Sequence, residues 1–479
     1  MQKKEFISKL QSLVLFELTA DQMGLIEALY QFIFEKRNLN IFVLKGYAGT
    51  GKTTIIGAFI QTLRFFGVST SQMAPTGRAA KVLHDHTGLT VNTIHKSIYQ
   101  QKNVGNIDFQ FDKRHNKEEF QIYFVDEASM ISNHTFKDAI FGSGNILEDL
   151  LTSTLTAQSN KLIFIGDDAQ LPPIGQEHSP ALDTNYLDGF GFEATQYNLT
   201  EVVRHQQNSG ILHNATNIRK LLFQKEEWDK TLQFDIRDFN DINKINGREV
   251  IEEIESCFDK DGRSETILIT RSNKRASLFN EGIRNSILYY DEKVSSGDLI
   301  MVVKNNYFWS KSYEKLDFIA NGEIAEVTRV GKTEERYGHT FVDLEVRLLE
   351  SDTYIECKAF LDLLHSEEGN LSYNKTKELY FNILEEHREL ATKKDQWKHI
   401  RECPYFNALQ IKFSYAITCH KAQGGQWQNV FIDQGYITEE HMDQNFLRWL
   451  YSALTRSKKS AYLLNFNKTF FHEEDQEEF

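Results

Sequence analysis

Gly46-Tyr-Ala-Gly-Thr-Gly51-Lys52-Thr53 follows the apolar run Ile41–Leu44 and precedes a stretch in which Ile55, Ile56, Phe59, Ile60 and Leu63 recur at helical spacing. The octapeptide fits GxxxxGK[ST] in full, and a strand before it with a helix after it is the context in which that pattern cradles phosphates. Glycines let backbone N–H groups converge on phosphate oxygens, so Gly49, Thr50, Gly51 and Thr54 are read as nucleotide-binding. Lys52 would bridge the β- and γ-phosphates, and the Thr53 hydroxyl would ligate Mg2+.

Outward from this loop, Gln72–Ala74, Ile122–Val125 and Leu162–Ile165 are further short apolar runs, each entering a polar or glycine-containing loop. Runs of this kind suit parallel strands buried on both faces, hence an α/β, doubly wound sheet with ligands at the carboxyl ends of its strands. Ile122–Val125 ends in Asp126-Glu127. Unpaired buried charge is costly, so two carboxylates there point to chemistry: Asp126 to hold Mg2+ through water, Glu127 to polarise the attacking water. Leu162–Ile165 leads into Gly166-Asp-Asp-Ala-Gln170-Leu-Pro-Pro173, where Gln170 could sense the γ-phosphate; alone, the segment would pass for a turn. Gln22 has two compatible readings, because Thr19 and Gln22 form a T-x-x-Q capping box and a helix cap can also present its amide to a base.

A second α/β stretch begins with the strand Thr266–Thr270 and a helix around Lys274–Ile287. From Asp298 to about Phe360 the pattern changes to short β-type runs (Leu299–Val303, Glu323–Val330, Thr340–Leu349, Tyr354–Phe360), which predicts a small barrel or sandwich. Residues 361–400 are charged and helical in character, and the last section reads as strands Gln410–Ile417, Val430–Asp433 and Ala461–Leu464 with a helix through Leu447–Leu454. Aromatic residues at 12% exclude a disordered chain, and a net charge of −14 argues mildly against a protein that coats duplex DNA. The four cysteines stand far apart with no CxxC pair, so neither a zinc site nor a disulfide framework is indicated, which fits a reducing, cytoplasmic setting. No apolar run approaches the ~20 residues of a membrane helix.

The order of motifs resembles superfamily 1B DNA helicases of the RecD/Dda type. The resemblance runs from Leu18 to about Leu464 through Gly46–Thr53, Ala74-Pro-Thr-Gly-Arg-Ala-Ala80, Thr93-Ile-His95 and Asp126-Glu-Ala-Ser129. It continues at Gly166–Pro173, Leu199-Thr-Glu-Val-Val-Arg204, Thr418-Cys-His-Lys-Ala-Gln-Gly424 and Tyr451-Ser-Ala-Leu-Thr-Arg-Ser457. It implies two RecA-like P-loop NTPase domains: residues 1–190, with a hairpin (pin) insertion at about 97–120, and residues 191–300 with 409–479. An SH3-like and helical insertion would occupy 301–408. It further implies an ATP hydrolase in which Gln22 contacts adenine and Arg204 and Arg456 are arginine fingers. Pro75, Thr76, His95, Thr418, His420 and Lys421 would track single-stranded DNA. Gln423, counted with them, and Gly424, counted with the ATP site, would couple the two ligands, and Phe109 or Phe111 would stack on the last base pair of a duplex junction. Cys419 is read as a packing residue. The expected activity is ATP-dependent unwinding with 5′ to 3′ translocation by a monomer, with replication or repair proteins as partners.

Three other readings stay open at this level. Asp343 with Glu356-Cys-Lys358 superficially offers a nuclease D…ExK set, although charged and apolar alternation on a solvated strand accounts for it better. An ATP-switched binding protein or translocase would need Lys52 and Asp126 but have no use for paired Arg204 and Arg456. An RNA-directed helicase is the third, since nothing in the chain reads a 2′-hydroxyl unambiguously.

Overall fold

In the computed structural model the run before the phosphate loop is the strand Ile41–Gly46, and Ile41, Phe42, Val43 and Leu44 are all buried. The structure describes residues 2–35, 39–101, 111–113, 120–135, 142–203, 209–224, 232–313, 316, 318–387, 392–437 and 442–472. That strand lies inside a six-stranded sheet whose order is Val91–Thr93, Thr70–Ala74, Ile122–Val125, Lys161–Gly166, Ile41–Gly46, Ala194–Leu199. Every pairing is parallel. Helices cover both faces, which is why these strands are continuous apolar runs rather than alternating ones. All four strands expected in this half are present.

The second sheet is also parallel, in the order Ala416–Thr418, Thr266–Thr270, Trp427–Asp433, Ser457–Leu464, Ile242–Ile245. Between two of its strands the chain leaves for an antiparallel sheet ordered Thr353–Phe360, His339–Leu348, Ile324–Arg336, Leu299–Val302, Ile411–Phe413. A bridge between Ala359 and Leu409 draws its two edges together into a small barrel. Two RecA-like sheets with a β insertion in the second are thus the architecture. One expected strand is corrected. Gln410–Ile417 is not a single strand, because Ile411–Phe413 pairs with Leu299–Val302 of the barrel and Ala416–Thr418 pairs with Thr266–Thr270. A continuous apolar run shows burial but carries no record of which neighbour buries it. The strands of the barrel accordingly run from Leu299 to Phe413.

The charged helical stretch forms the helices Tyr373–Glu386 and Lys393–Glu402. Leu379, Ile383 and Ile400 from these helices pack with Phe341 and Phe360 of the barrel, so the stretch caps one end of it. In the first half, Tyr99–Gln101 pairs antiparallel with Phe111–Lys113, the base of the expected hairpin. Phe109 lies outside the described residues, and Phe111 stands opposite Gln101 in that ladder. No helix among the described residues is long and apolar enough to cross a membrane.

Candidate nucleotide cleft and nucleic-acid face

The phosphate loop turns on Gly49 and Gly51, whose φ values of 77° and 79° lie in the left-handed region that glycine occupies without strain. Gly51 caps the helix Lys52–Phe65. A Cβ at Gly46 would stand 2.5 Å from Cδ of Lys52, so only glycine lets the lysine fold back over the loop. Lys52 Nζ donates to the Tyr47 carbonyl at 2.9 Å, as does the Thr50 hydroxyl at 2.8 Å. Gln22 is fully buried and makes the capping box: its Oε1 accepts from Thr19 N–H at 3.0 Å, and its own N–H donates to Thr19 Oγ1 at 3.2 Å. Its Nε2 donates to the Thr50 carbonyl at 3.0 Å, tying the helix start to the phosphate loop. Thr53 and Thr54 follow on the first turn of the helix.

Asp126 is buried at the end of the strand Ile122–Val125. Burial, and then the neighbouring Glu127 charge, push its carboxyl up to about 7, against a Glu127 N–H donated at 2.9 Å and the Lys52 ammonium. Of these groups the Asp126 carboxylate is an oxygen ligand of the kind a hard divalent cation takes, whereas the Lys52 ammonium is not a ligand. Glu127 adopts φ 50°, a left-handed conformation uncommon outside glycine and frequent at functional turns. Arg456, from the second sheet, is buried with Nη1 3.7 Å from Glu127 Oε1. Its Nε donates to the Ser452 carbonyl at 3.1 Å and its Nη1 to the Gly425 carbonyl at 3.3 Å, which holds the guanidinium across the cleft. The expected second finger, Arg204, lies outside the described residues.

The loop Gly166–Pro173 carries the cleft's third wall. Gln170 is buried, and its Oε1 has no hydrogen-bond partner among the described residues. Asp167 accepts from the Tyr451 hydroxyl at 2.7 Å and from Ala169 N–H at 3.0 Å. Leu171 N–H donates to Ser452 Oγ at 2.8 Å, while the Leu171 carbonyl accepts from Gln423 Nε2 at 2.7 Å. Arg448 Nη1 donates to the Asp168 and Gln170 carbonyls. Gln423, read from sequence as a nucleic-acid contact, therefore has its amide on the cleft wall. Gly424, read as nucleotide-binding, packs at φ 73° against Thr76 and Ala79, on the seam between cleft and strand ends.

Pro75 and Thr76 follow the strand Thr70–Ala74, and Thr76 Oγ1 caps the helix Gly77–Thr87 by accepting Ala79 N–H at 3.2 Å. His95 is desolvated on the short helix Ile94–Ile98, where burial pulls its imidazole down to about 4, so it is neutral at pH 7. Thr418 ends the edge strand of the second sheet, and burial lowers the pKa of both His420 and Lys421 just beyond it. Cys419 is buried with its thiol pushed up to about 12, consistent with packing and not with nucleophilic chemistry.

Two residues escaped the sequence reading although both sit in quoted motifs. Arg78 is half-buried with its guanidinium 3.9 Å from the centre of the Trp427 ring, a cation–π contact between the two sheets' domains. Tyr451 spans the cleft: besides Asp167 it accepts Ala48 N–H at 3.0 Å. The D…ExK set resolves into a structural pair, because Lys358 Nζ lies 2.6 Å from Asp343 Oδ1 directly across the ladder and 2.8 Å from Glu334 Oε1. Among the described residues no group of three His, Cys, Asp or Glu could hold a metal ion.

The AAA domain family matches residues 17–221, and the UvrD-like helicase C-terminal domain family matches residues 413–464. The chain is 25% identical to the ATP-dependent DNA helicase dda of Enterobacteria phage T4, over 87% of this chain and 92% of that one. It is 24% identical to the RecBCD enzyme subunit RecD of Buchnera aphidicola subsp. Schizaphis graminum, over 90% and 71%. A Pif1 helicase structure from Candida albicans aligns at 14% identity and a TM-score of 0.47, covering 96% of this chain and 97% of that one. Through these two family matches and the curated relatives along most of its length, the chain is similar to the superfamily 1B helicases of the RecD/Dda type.

Proposed function

We propose that this ATP-hydrolysing DNA helicase moves 5′ to 3′ on single-stranded DNA and opens duplex at a junction. The observation that carries the reading is Arg456 of the second sheet reaching to 3.7 Å from Glu127 of the first, beside the phosphate loop. A guanidinium there matches charge spread over phosphoryl oxygens in the transition state, and its arrival from the other domain makes hydrolysis depend on closure. In this reading Lys52 moves from the Tyr47 carbonyl onto the β- and γ-phosphates, Glu127 orients the attacking water, and Gln170 donates from Nε2 to a γ-phosphate oxygen while its Oε1 accepts from that water. Arg204 is the second finger, and Gln22 presents its amide edge to the adenine. Thr53 and Asp126 would hold Mg2+, which neutralises charge on the phosphates when bound.

Pro75, Thr76, His95, Thr418, His420 and Lys421 stand at the carboxyl ends of the two sheets, where open α/β sheets bind ligands, and grip the strand. Alternate tightening of the two grips advances it. The hairpin from Tyr99 to Lys113, with Phe109 and Phe111, is the wedge at the junction. The polarity follows the relatives' branch, so it is the part to test first. ATP-driven strand separation on partial duplexes with a 5′ or a 3′ tail decides it, with opening of the 5′-tailed substrate expected. Opening from the 3′ tail alone would overturn the direction. Hydrolysis stimulated by RNA and not by DNA strands would overturn the substrate.

A further inference from the structure

Tyr451 Oη sits between two loops that both face the nucleotide. It accepts Ala48 N–H at 3.0 Å and donates to Asp167 Oδ2 at 2.7 Å. A tyrosine has one proton to give; with that proton on a carboxylate, the oxygen lone pairs are left for the amide, so the relay has a single polarity. Asp167 is held on its other oxygen by Ala169 N–H at 3.0 Å, which fixes the acceptor. Ala48 is part of the phosphate loop, and an N–H given to a hydroxyl of the opposite domain pins the shape of that loop to the position of the helix Gln444–Leu454. The neighbouring Ser452 and the more distant Gln423 hold the same Gly166–Pro173 loop through both polar atoms of the Leu171 peptide. Gln423 is two residues from Lys421 at the strand-end face. A path therefore reaches from the phosphate loop to that face: hydrogen bonds join Ala48, Tyr451 and Asp167, the Gly166–Pro173 backbone joins Asp167 to Leu171, and a further hydrogen bond joins Leu171 to Gln423, with no part of it needing to touch substrate.

We propose that Tyr451 is a positioning residue that couples DNA occupancy to the closed, hydrolysing arrangement of the phosphate loop. The proposal rests on the helicase reading above and deepens it. Its chemical content is that the hydroxyl, not the ring, carries the coupling. The ring is fully buried in the second sheet's core and serves packing, whereas the hydroxyl bonds exist only while the two domains are in contact. The aspartate partner makes the bond charge-assisted and hence worth more than a neutral one.

The test is steady-state ATP turnover of the full chain and of Tyr451→Phe, with and without saturating oligo(dT), alongside thermal melting. In the variant, stimulated kcat is expected to fall about 5- to 20-fold, the size of losing one charge-assisted and one neutral hydrogen bond. KM for ATP should move less than about two-fold, and the ratio of stimulated to basal turnover should drop. Asp167→Asn keeps an acceptor for the hydroxyl and should show the same signature more weakly. The double variant should be no worse than Tyr451→Phe alone, because both changes cut one path. An unchanged stimulation ratio, an additive double variant, or losses in kcat and melting temperature that track each other would each overturn the role. A wild-type chain that oligo(dT) does not stimulate would fail at the helicase reading itself, which separates the two failures.

Discussion

Lys52 holds its ammonium on the Tyr47 carbonyl, 2.9 Å away, an acceptor it shares with the Thr50 hydroxyl. A triphosphate offers that ammonium a stronger, charged partner, so the exchange favours binding. Lys52→Ala is expected to abolish ATP hydrolysis while the circular-dichroism spectrum stays that of the parent; retained turnover would sink the phosphate-loop assignment. Arg456 differs in kind, because its planar fork is anchored by two carbonyls and aimed by a third contact at Glu127. Arg456→Lys keeps the charge but loses that fork, and kcat should fall by roughly 100-fold or more with KM for ATP little changed. A KM effect with normal kcat would instead make Arg456 a ground-state binding residue.

At the scale of elements, the paired strands Tyr99–Gln101 and Phe111–Lys113 are rooted on one buried carboxylate. Asp149 of the helix Ile146–Thr154 accepts from the Tyr99 hydroxyl at 2.8 Å and from Ser143 N–H at 2.8 Å, and its other oxygen lies 3.3 Å from Lys113 Nζ. Tyr99 and Lys113 are opposite one another in the first rung of the ladder, so a single side chain ties both strands of this two-stranded sheet to the helix Ile146–Thr154. If the hairpin is the wedge, Asp149→Ala should slow strand separation more than it slows DNA-stimulated hydrolysis. Phe109→Ala combined with Phe111→Ala should do the same. Equal loss of both activities in either variant, read from unwinding and turnover on one forked substrate, would remove the hairpin from the unwinding step.

For the whole molecule, the barrel insertion meets the first domain at the turn that opens the helix Gly77–Thr87. A Cβ at Gly77 would stand 2.8 Å from Glu350 Oε2, and Lys81 Nζ donates to the Leu349 carbonyl at 3.3 Å. A cavity of about 260 Å³ between them is lined by Lys81, Lys96, Phe318, Glu323 and Glu350. Burial, and then the Glu350 charge, push Glu323 up to about 8, opposed by the Ala320 N–H it accepts. Because the folded carboxyl has the higher pKa, the folded state binds the extra proton. Stability is therefore full below the ordinary carboxyl range and is lost as pH rises from about 4.5 to about 8. Glu323→Gln keeps the acceptor for Ala320 and removes the titration, so it should raise the melting temperature by a few °C at pH 8.5 and leave it nearly unchanged at pH 4.5. An equal shift at both pH values would refute the ionisation. With a net charge of −14, single-strand affinity should rest on few phosphate contacts and fall with salt at a slope near −0.7 per contact.

What the sequence by itself determined is everything that local pattern encodes. The phosphate loop, the strand-end carboxylates Asp126 and Glu127 and the succession of two parallel sheets were legible, because strand period, glycine freedom and capping chemistry act within a few residues; Arg456 stood out only through the family resemblance. The capping box at Thr19 and Gln22 was legible for the same reason. What only the tertiary structure decided is partnership. Gln410–Ile417 read as one apolar run, yet half of it pairs with the barrel and half with the second parallel sheet. Lys358 read as one of the alternating charged residues on a solvated strand, and only the ladder shows that its partner is Asp343, directly opposite. Tyr451 lies 403 residues from Ala48, and no periodicity carries information over that span. Hydrophobic pattern states that a residue will be buried; which donor meets which acceptor across a cleft is settled only when two independently packed sheets are brought face to face.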